Sequence, residues 1–468
     1  MSWTLFLVLR GTPRKVFLLI ASYYFYMCWN TKYVVVIWGI TLVDFAAGLL
    51  IERGKKESAR KFFLGLSLVC NVGLLVVFKY LNFLDASATE VVRFWGGSQD
   101  LPIFRILLPV GLSFHTFQAM SYTIDIYKRK APSEKNLLNY ALYVAFFPQM
   151  VAGPIERPLQ LLPQFNCEPV FRSDRVRSGV ILATWGLFKK MVIADSLSGF
   201  VSLVYASPRS YSGAELLAAT LSFALQIYCD FSGYSDIALG IARMMGYELR
   251  LNFAQPYFSR SIGEFWRRWH ISLSTWFRDY VYIPLGGNRV KTSRFYFNLL
   301  ATFLLSGLWH GANWTFVVWG GLHGTFLICS HMTGGLRRQV RAMPGLDRCP
   351  KILRFLQHIF TLSLITIAWV PFRSSDLPTA WYVLTHFYPF GGMDSTVLAA
   401  AGIPRANVPF LLWFVVLMFW VEWWIQHPHR VPRLWRYAPF RVCCYYGCVY
   451  SIIFFGVFGH ADFIYFQF

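Results

Sequence analysis

Long apolar runs constrain this chain more than any other feature. Phe62 to Val77, Ala214 to Tyr228, Phe355 to Val370 and Val408 to Trp424 each approach the ~20 residues that a helix needs to cross a bilayer. Roughly ten to twelve stretches qualify as spans on this reading, which makes the chain an all-α polytopic membrane protein. Several of them are short or broken by Gly and Pro, as expected of membrane helices that pack on protein or line a cavity. Composition points the same way. Of 468 residues, 56% are hydrophobic and only 14% charged, against about a quarter charged in soluble domains. There is too little polar surface here to cover a water-soluble body.

The formal net charge of +21 invites a nucleic-acid reading, but the distribution argues against it. Basic residues cluster between apolar runs, at Arg53 to Lys61, Lys128 to Lys135, Arg337 to Arg354 and Arg430 to Arg441. Cytoplasmic loops of membrane proteins carry such an excess, and a basic rim attracts anionic lipid or an anionic cosubstrate. The nine cysteines show neither zinc spacing nor a disulfide ladder. Met1 to Leu9 lacks the charged region and cleavage site of a signal peptide.

No internal repeat or soluble insertion interrupts residues 1–468, which read as one domain. Leu101 to Ile126 carries Pro109, Gly111 and His115 and reads as a broken or re-entrant helix. Tyr140 to Gly153 and Ile181 to Ile193 are short. Tyr211 to Met245 is long and is interrupted by the polar run Cys229 to Asp236. Ser261 to Tyr282 is aromatic, basic and amphipathic, which suits the membrane interface rather than a span. Leu299 to Ser330 reads as one span holding His310 and His323.

Ionisable groups inside a membrane are costly and often functional. Asp44, His115, Asp230, Asp236, His310 and His323 all fall within apolar runs. Singly, each is better read as pairing with a neighbour or satisfying a kink; clustering shifts that balance. The sharpest cluster is Ser306-Gly307-Leu308-Trp309-His310-Gly311-Ala312-Asn313-Trp314. Flanking glycines allow close approach, and a neutral imidazole is the usual general base near pH 7. On one continuous helix His323 would lie ~20 Å from His310, so only one of them could meet a reacting atom. His270 could reach His310 only through the fold. A metal site lacks its ligand spacing, since there is no His-Glu-x-x-His and His427 with His429 sits in a Pro-rich loop. No Gly-x-Ser-x-Gly elbow supports a serine nucleophile. Asp230 and Asp236 could hold an ion in a coupled transporter, which is the rival class.

Further motifs run nearly end to end. They are Ala21-Ser22-Tyr23-Tyr24-Phe25-Tyr26, Leu108 to Phe114, Phe147 to Ile155, Asp230 to Asp236 and Gln255-Pro256-Tyr257. They continue through Phe265 to Tyr280, Leu285-Gly286-Gly287-Asn288-Arg289, Gly307 to Asn313, Trp369 to Arg373 and the terminal Phe463 to Phe468. In these the chain resembles the membrane-bound O-acyltransferase (MBOAT) family, in particular the bacterial branch that modifies alginate, peptidoglycan and teichoic acid. The resemblance implies a ring of tilted transmembrane helices, with re-entrant and interfacial helices, around a pinched central tunnel. By position His310 matches the family's characteristic catalytic histidine and His270 the second functional histidine of this branch. Trp309, Asn313, Arg267, Arg268, Arg278, Asp279 and Asn288 become candidates for lining the tunnel or meeting the donor. The three arginines also suit plain interfacial snorkelling, and Trp266, Trp269 and Trp309 suit packing. Arg289 would join the arginines at a cytosolic vestibule. Gly307 and Gly311 would leave room for an acyl chain at the neck. The implied cosubstrate is acyl-CoA, acetyl-CoA in the first place, or another acyl thioester; no bound cofactor or metal is implied.

The acceptor would be the hydroxyls of an exported or cell-wall polysaccharide. An extracytoplasmic SGNH-type acyltransferase or a polysaccharide-modification complex would complete the transfer. The implied location is the bacterial inner membrane, among lipid and without nucleic acid. Acylation of a lipid or a protein is the alternative within the enzyme class. Relatives open with a full apolar helix where Met1 to Leu9 is a stub here, and His115 stands where relatives commonly carry Tyr.

Overall fold

Helices are the regular elements throughout the described residues, as the apolar runs require. The structure is a computed structural model and describes residues 2–96, 109–151, 153–341, 350–389, 392, 394–459 and 463–464. Parts of the sequence motifs fall outside these: residues 101–108 of the expected broken helix, Ala152, residues 342–349 of the basic loop and Tyr465 to Phe468. Among the described residues, six helical segments are long and apolar enough to cross a membrane: Thr31–Arg53, Glu57–Phe94, Gly213–Met244, Pro350–Arg373, Arg405–Gln426 and Ala438–Phe455. The chain is thus a multi-pass membrane protein. The remaining apolar runs are delivered as shorter, more polar or interrupted helices, so six segments meet the length and apolarity of a span where the sequence suggests ten to twelve.

By internal contacts the chain divides into two units, residues 1–180 with 238–250 and residues 181–237 with 251–468. In the first, α1 (Val34–Arg53), α2 (Glu57–Leu75) and α3 (Leu112–Tyr127) pack on one another. Their seam holds a polar knot. The Asp44 carboxylate accepts from Ser67 Oγ and, at 2.8 Å, from Asn71 Nδ2, while Ser67 Oγ lies 2.9 Å from Thr123 Oγ1. Buried polar groups need such partners, so Asp44 is a structural residue here. His115 on α3 is likewise engaged, through Nδ1 with the Val144 carbonyl at 3.0 Å, at the end of α4 (Leu137–Ala145).

The second unit is built from α5 (Gly213–Met244, through residue 237), α6 (Ile262–Arg268), α7 (Ile271–Phe277), α8 (Thr292–His310), α9 (Trp314–Met332), α10 (Pro350–Arg373), α11 (Val408–Gln426) and α12 (Ala438–Phe455). Two features position the site. The first is the α8–α9 hairpin. A Cβ on Gly307 would stand 2.3 Å from the Phe316 carbonyl oxygen, and one on Gly320 2.3 Å from that of Phe303. Small residues permit this close antiparallel approach, as in membrane helix pairs generally. The second is the bend between α6 and α7. His270 sits there at φ 43°, ψ 55°, a left-handed conformation that side chains other than Gly seldom adopt.

Candidate active site

The expected single span from Leu299 to Ser330 is two helices. Gly311 leaves the helix in an extended conformation, and the Asn313 side chain caps the next helix by accepting from Thr315 N at 3.1 Å. Ser, Thr, Asp and Asn are the usual caps, so a stop and a start were both written in Gly311-Ala312-Asn313. The break folds α9 back along α8. His310 and His323, ~20 Å apart on one helix, therefore flank the same Trp319 ring at 4.9 and 5.0 Å.

His310 ends α8 and is 3% exposed. Its ring is packed edge-on by Trp309 at 4.9 Å, Trp319 at 4.9 Å and Phe372 of α10 at 5.5 Å. His270 is fully buried, with ring neighbours Phe231 at 4.6 Å and Trp309 at 6.0 Å. The two imidazole centroids are 6.4 Å apart. The segment from Ser261 to Tyr282 is not a span, as expected. One face of it is packed into the protein, where Phe265, Trp269, His270, Leu273 and Trp276 are buried. Its two short helices fold inward about the strained His270.

What holds His270 in that conformation is Asn252, a residue the sequence reading passed over. Asn252 is fully buried. Its Oδ1 accepts from Ser272 Oγ at 2.9 Å and the Ser272 amide at 3.4 Å, and meets His270 Nδ1 at 3.0 Å. Its Nδ2 donates to Ser235 Oγ at 3.2 Å. The Ser272 amide can only donate, which fixes the carboxamide's oxygen on the His270 side. An amide oxygen can only accept, so His270 Nδ1 carries the proton and Nε2 presents a lone pair. Burial pushes the imidazole down to about 3, so the neutral form is the one present at physiological pH. The backbone supports the same bend, with Ile271 N donating to the Asn252 carbonyl and Ala254 N to the Arg268 carbonyl, each at 2.9 Å. A lone Asn in Arg250-Leu251-Asn252-Phe253 was the available signal.

The other candidates divide. Trp309 bridges both histidines and belongs to the site. Asn313 is committed to its cap and to donating to the Ser375 carbonyl at 2.8 Å. Arg268 pairs with Glu264 at 2.8 Å, and Arg278 with Asp279 at 2.8 Å. Arg267, Arg278, Asn288 and Arg289 are exposed. Trp266 is more than packing, since its Nε1 donates to His323 Nδ1 at 3.3 Å. The room expected at Gly307 and Gly311 is absent. A Cβ on Gly311 would stand 2.1 Å from the Phe316 ring, so both glycines serve helix contact rather than an open neck.

Asp230 and Asp236, the residues behind the transporter alternative, already have resident cations. Lys189 Nζ lies 2.7 Å from Asp236 Oδ2, and Lys190 Nζ 2.8 Å from Asp230 Oδ1 and 2.7 Å from Asp195. Among the described residues no three His, Cys, Asp or Glu side chains converge as a metal site.

Comparison with known proteins meets this geometry from outside. Residues 110–347 match the membrane-bound O-acyltransferase family. The chain is similar to a probable alginate O-acetylase AlgI of Pseudomonas aeruginosa, 40% identical over 87% of this chain and 76% of that protein. It is 35% identical to the probable alginate O-acetylase AlgI of Pseudomonas putida, over 97% of this chain and 94% of that one. It is 36% identical to a peptidoglycan O-acetyltransferase of Helicobacter pylori, over 81% of this chain and 75% of that protein.

Proposed function

Because the chain belongs to the membrane-bound O-acyltransferase family and is an O-acyltransferase using an acyl donor, we propose that it moves an acetyl group from a cytosolic thioester toward hydroxyls of an exported or cell-wall polysaccharide. The observation that carries the site assignment is the juxtaposition of His310 and His270, 40 residues apart in sequence, with ring centroids 6.4 Å apart inside a membrane protein. The acceptor follows the relatives, an alginate O-acetylase and a peptidoglycan O-acetyltransferase. Acetyl-CoA is the proposed donor. An extracytoplasmic SGNH-type acyltransferase is the proposed partner, and the bacterial inner membrane the setting.

In the proposed step the acceptor oxygen attacks the thioester carbonyl, and His310 takes the hydroxyl proton as general base. A C–O bond forms and the C–S bond breaks. The proton then passes from the imidazolium to the departing thiolate, so the ester and a free thiol leave and the histidine is restored. His270, with its lone pair on Nε2, suits accepting a hydrogen bond from the hydroxyl and orienting it. Stabilising charge on the carbonyl oxygen would need a donor there, which this tautomer does not supply. The water-poor aromatic shell of Trp309, Trp319 and Phe372 strengthens each of these interactions.

The test is transfer by the purified protein in proteoliposomes, with labelled acetyl thioester. His310→Gln keeps the volume in the aromatic cage and should lower the rate by ~10²–10⁴-fold. His270→Gln should cost less, because the base remains. Near-normal transfer by His310→Gln would sink the assignment.

A further inference from the structure

The proposed step asks for something that His310 and His270 do not provide. As the acceptor oxygen attacks, the carbonyl π pair moves onto the carbonyl oxygen, which needs hydrogen-bond donors already in place. His270 presents a lone pair at Nε2, as its bond with Asn252 requires, so the donors must come from elsewhere. Buried N–H groups that meet no acceptor within the fold are unfavourable unless something else uses them.

Two such groups stand on α9. Trp319 and His323 are four residues apart, one turn from each other on the same side of the helix, and both are fully buried. Trp319 Nε1–H has no hydrogen-bond partner among the described residues. The state of His323 follows from Trp266 of α6, whose Nε1 donates to His323 Nδ1 at 3.3 Å. An indole N–H can only donate, so Nδ1 holds a lone pair and the neutral ring carries its proton on Nε2. That Nε2–H also lacks a partner among the described residues. Trp266 thus does for His323 the opposite of what Asn252 does for His270. One histidine is left with a lone pair at Nε2, the other with a donor.

The distances suit a carbonyl shared with His310. The Trp319 ring lies 4.9 Å from His310 and 5.0 Å from His323 by centroids, so the two imidazoles are no farther apart than about 10 Å. A hydroxyl held ~3 Å from its base, an attacked carbon ~3–3.5 Å beyond, and a carbonyl oxygen ~3 Å from its donor cover about that length. Rings enclose both donors. Phe265, Phe303 and Phe326 surround His323, with Trp369 and Phe372 against Trp319. In such a water-poor shell an N–H donor acts more strongly on developing charge than it does in water.

We propose that Trp319 Nε1–H and His323 Nε2–H together hold the carbonyl oxygen of the acyl group being transferred. The hydroxyl oxygen's electron pair forms the C–O bond while its proton passes to His310. The carbonyl π pair moves to the oxygen held by the two N–H groups. It returns as the C–S bond breaks, and the thiolate leaves with the proton from His310. Neither donor is consumed. Trp266 is a positioning residue, because it acts only by fixing the His323 tautomer. The assignment rests on the acyl-transfer reading above and adds the residues that stabilise its developing charge.

Two measurements test it: kinetics in proteoliposomes with acetyl-CoA, and the carbonyl stretch of bound ¹³C-acetyl-CoA in the His310→Gln background, read by isotope-edited infrared spectroscopy. Trp319→Phe removes one N–H and keeps an aromatic ring; His323→Leu removes the other. Each should lower kcat by ~10²–10³-fold, leave the KM for acetyl-CoA little changed, and raise the carbonyl frequency. The carboxamide of His323→Gln can both accept from Trp266 and donate onward, so this variant should recover part of the rate. Near-normal kcat in either Trp319→Phe or His323→Leu would overturn the pair, as would a carbonyl frequency that neither variant moves. Equal losses in His323→Leu and His323→Gln, following a lowered melting temperature, would reduce His323 to packing. Wild type that transfers no acetyl group would instead remove the acyl-transfer reading itself.

Discussion

The second unit buries two polar clusters in contrasting ways. Around His270 and His310 the shell is aromatic, the His270 imidazole is neutral, and Asn252 fixes its ring through a carboxamide. Around Lys189 and Lys190 the groups are charged and closely paired. Asp236, Asp230 and Asp195 answer the two ammonium groups at 2.7–2.8 Å. Lys189 also donates to Ser232 Oγ at 2.8 Å, and Asp230 Oδ2 accepts from Ile464 N at 2.8 Å. Such saturation is what a low-dielectric interior demands of charge. It leaves little for a substrate to bind, whereas an imidazole in an aromatic box can take up and return a proton. Paired charge belongs to the architecture here, and the two imidazoles are the proposed seat of the chemistry.

Breaking one ion pair gives the largest expected effect. Lys190→Met leaves the Asp195 and Asp230 carboxylates buried without their cation, and should destabilise the protein by about 3–5 kcal/mol. Thermal unfolding in detergent, followed by tryptophan fluorescence, reads it. The double replacement Lys189→Met/Asp236→Leu removes a whole pair and should cost far less, since apolar residues of similar size replace buried pairs with little penalty. A single variant that melts like wild type would mean that the cluster is not structural, and the contrast with the histidine site would collapse.

How far the sequence reached differs between the two clusters for a physical reason. His310 stood out because a glycine-flanked histidine in an apolar run is costly unless it is used. The Asp230 to Asp236 run stood out equally, yet its meaning lay in Lys189 and Lys190, some 40 residues earlier in an apolar stretch, and pairing at that separation is set by the fold. The inward fold of Ser261 to Tyr282 was hidden similarly, because helix bends depend on tertiary partners such as Asn252. The break at Gly311 was legible. Its Gly and Asn signals were outweighed by the continuity of the apolar run.

The next effect sharpens the neutral side of the comparison. Asn252→Leu removes the acceptor that sets the His270 tautomer and supports its left-handed backbone. A misoriented catalytic group can cost ~10²-fold in rate, so kcat for acetyl transfer should fall by about that factor while the donor KM changes little. Asn252→Asp keeps an acceptor at the same place and should recover part of the rate. Equal losses in both variants, tracking a lowered melting temperature, would reduce Asn252 to a packing residue.

The smallest effects concern the hairpin that brings His310 and Trp319 together, and two glycines on the same helix separate contact from propensity. Gly320 sits where an added Cβ would lie 2.3 Å from the Phe303 carbonyl oxygen, so Gly320→Ala forces the helices apart. Overpacking of this kind costs about 1–3 kcal/mol, and the displaced Trp319 should slow transfer as well. One residue on, a Cβ at Gly321 would meet only Leu304 Cδ2 at 3.7 Å, an ordinary contact. Gly321→Ala should therefore leave transfer intact and stabilise the helix by roughly 0.5–1 kcal/mol through helix propensity. The expected melting temperatures thus move in opposite directions for the same chemical change at neighbouring positions. If both variants rise together, the α8–α9 contact tolerates a methyl group, and the close approach is not what sets the His310–Trp319 geometry. If both fall, Gly321 also faces a neighbour, and the helix face that carries Trp319 and His323 is packed more tightly than the glycine spacing implies.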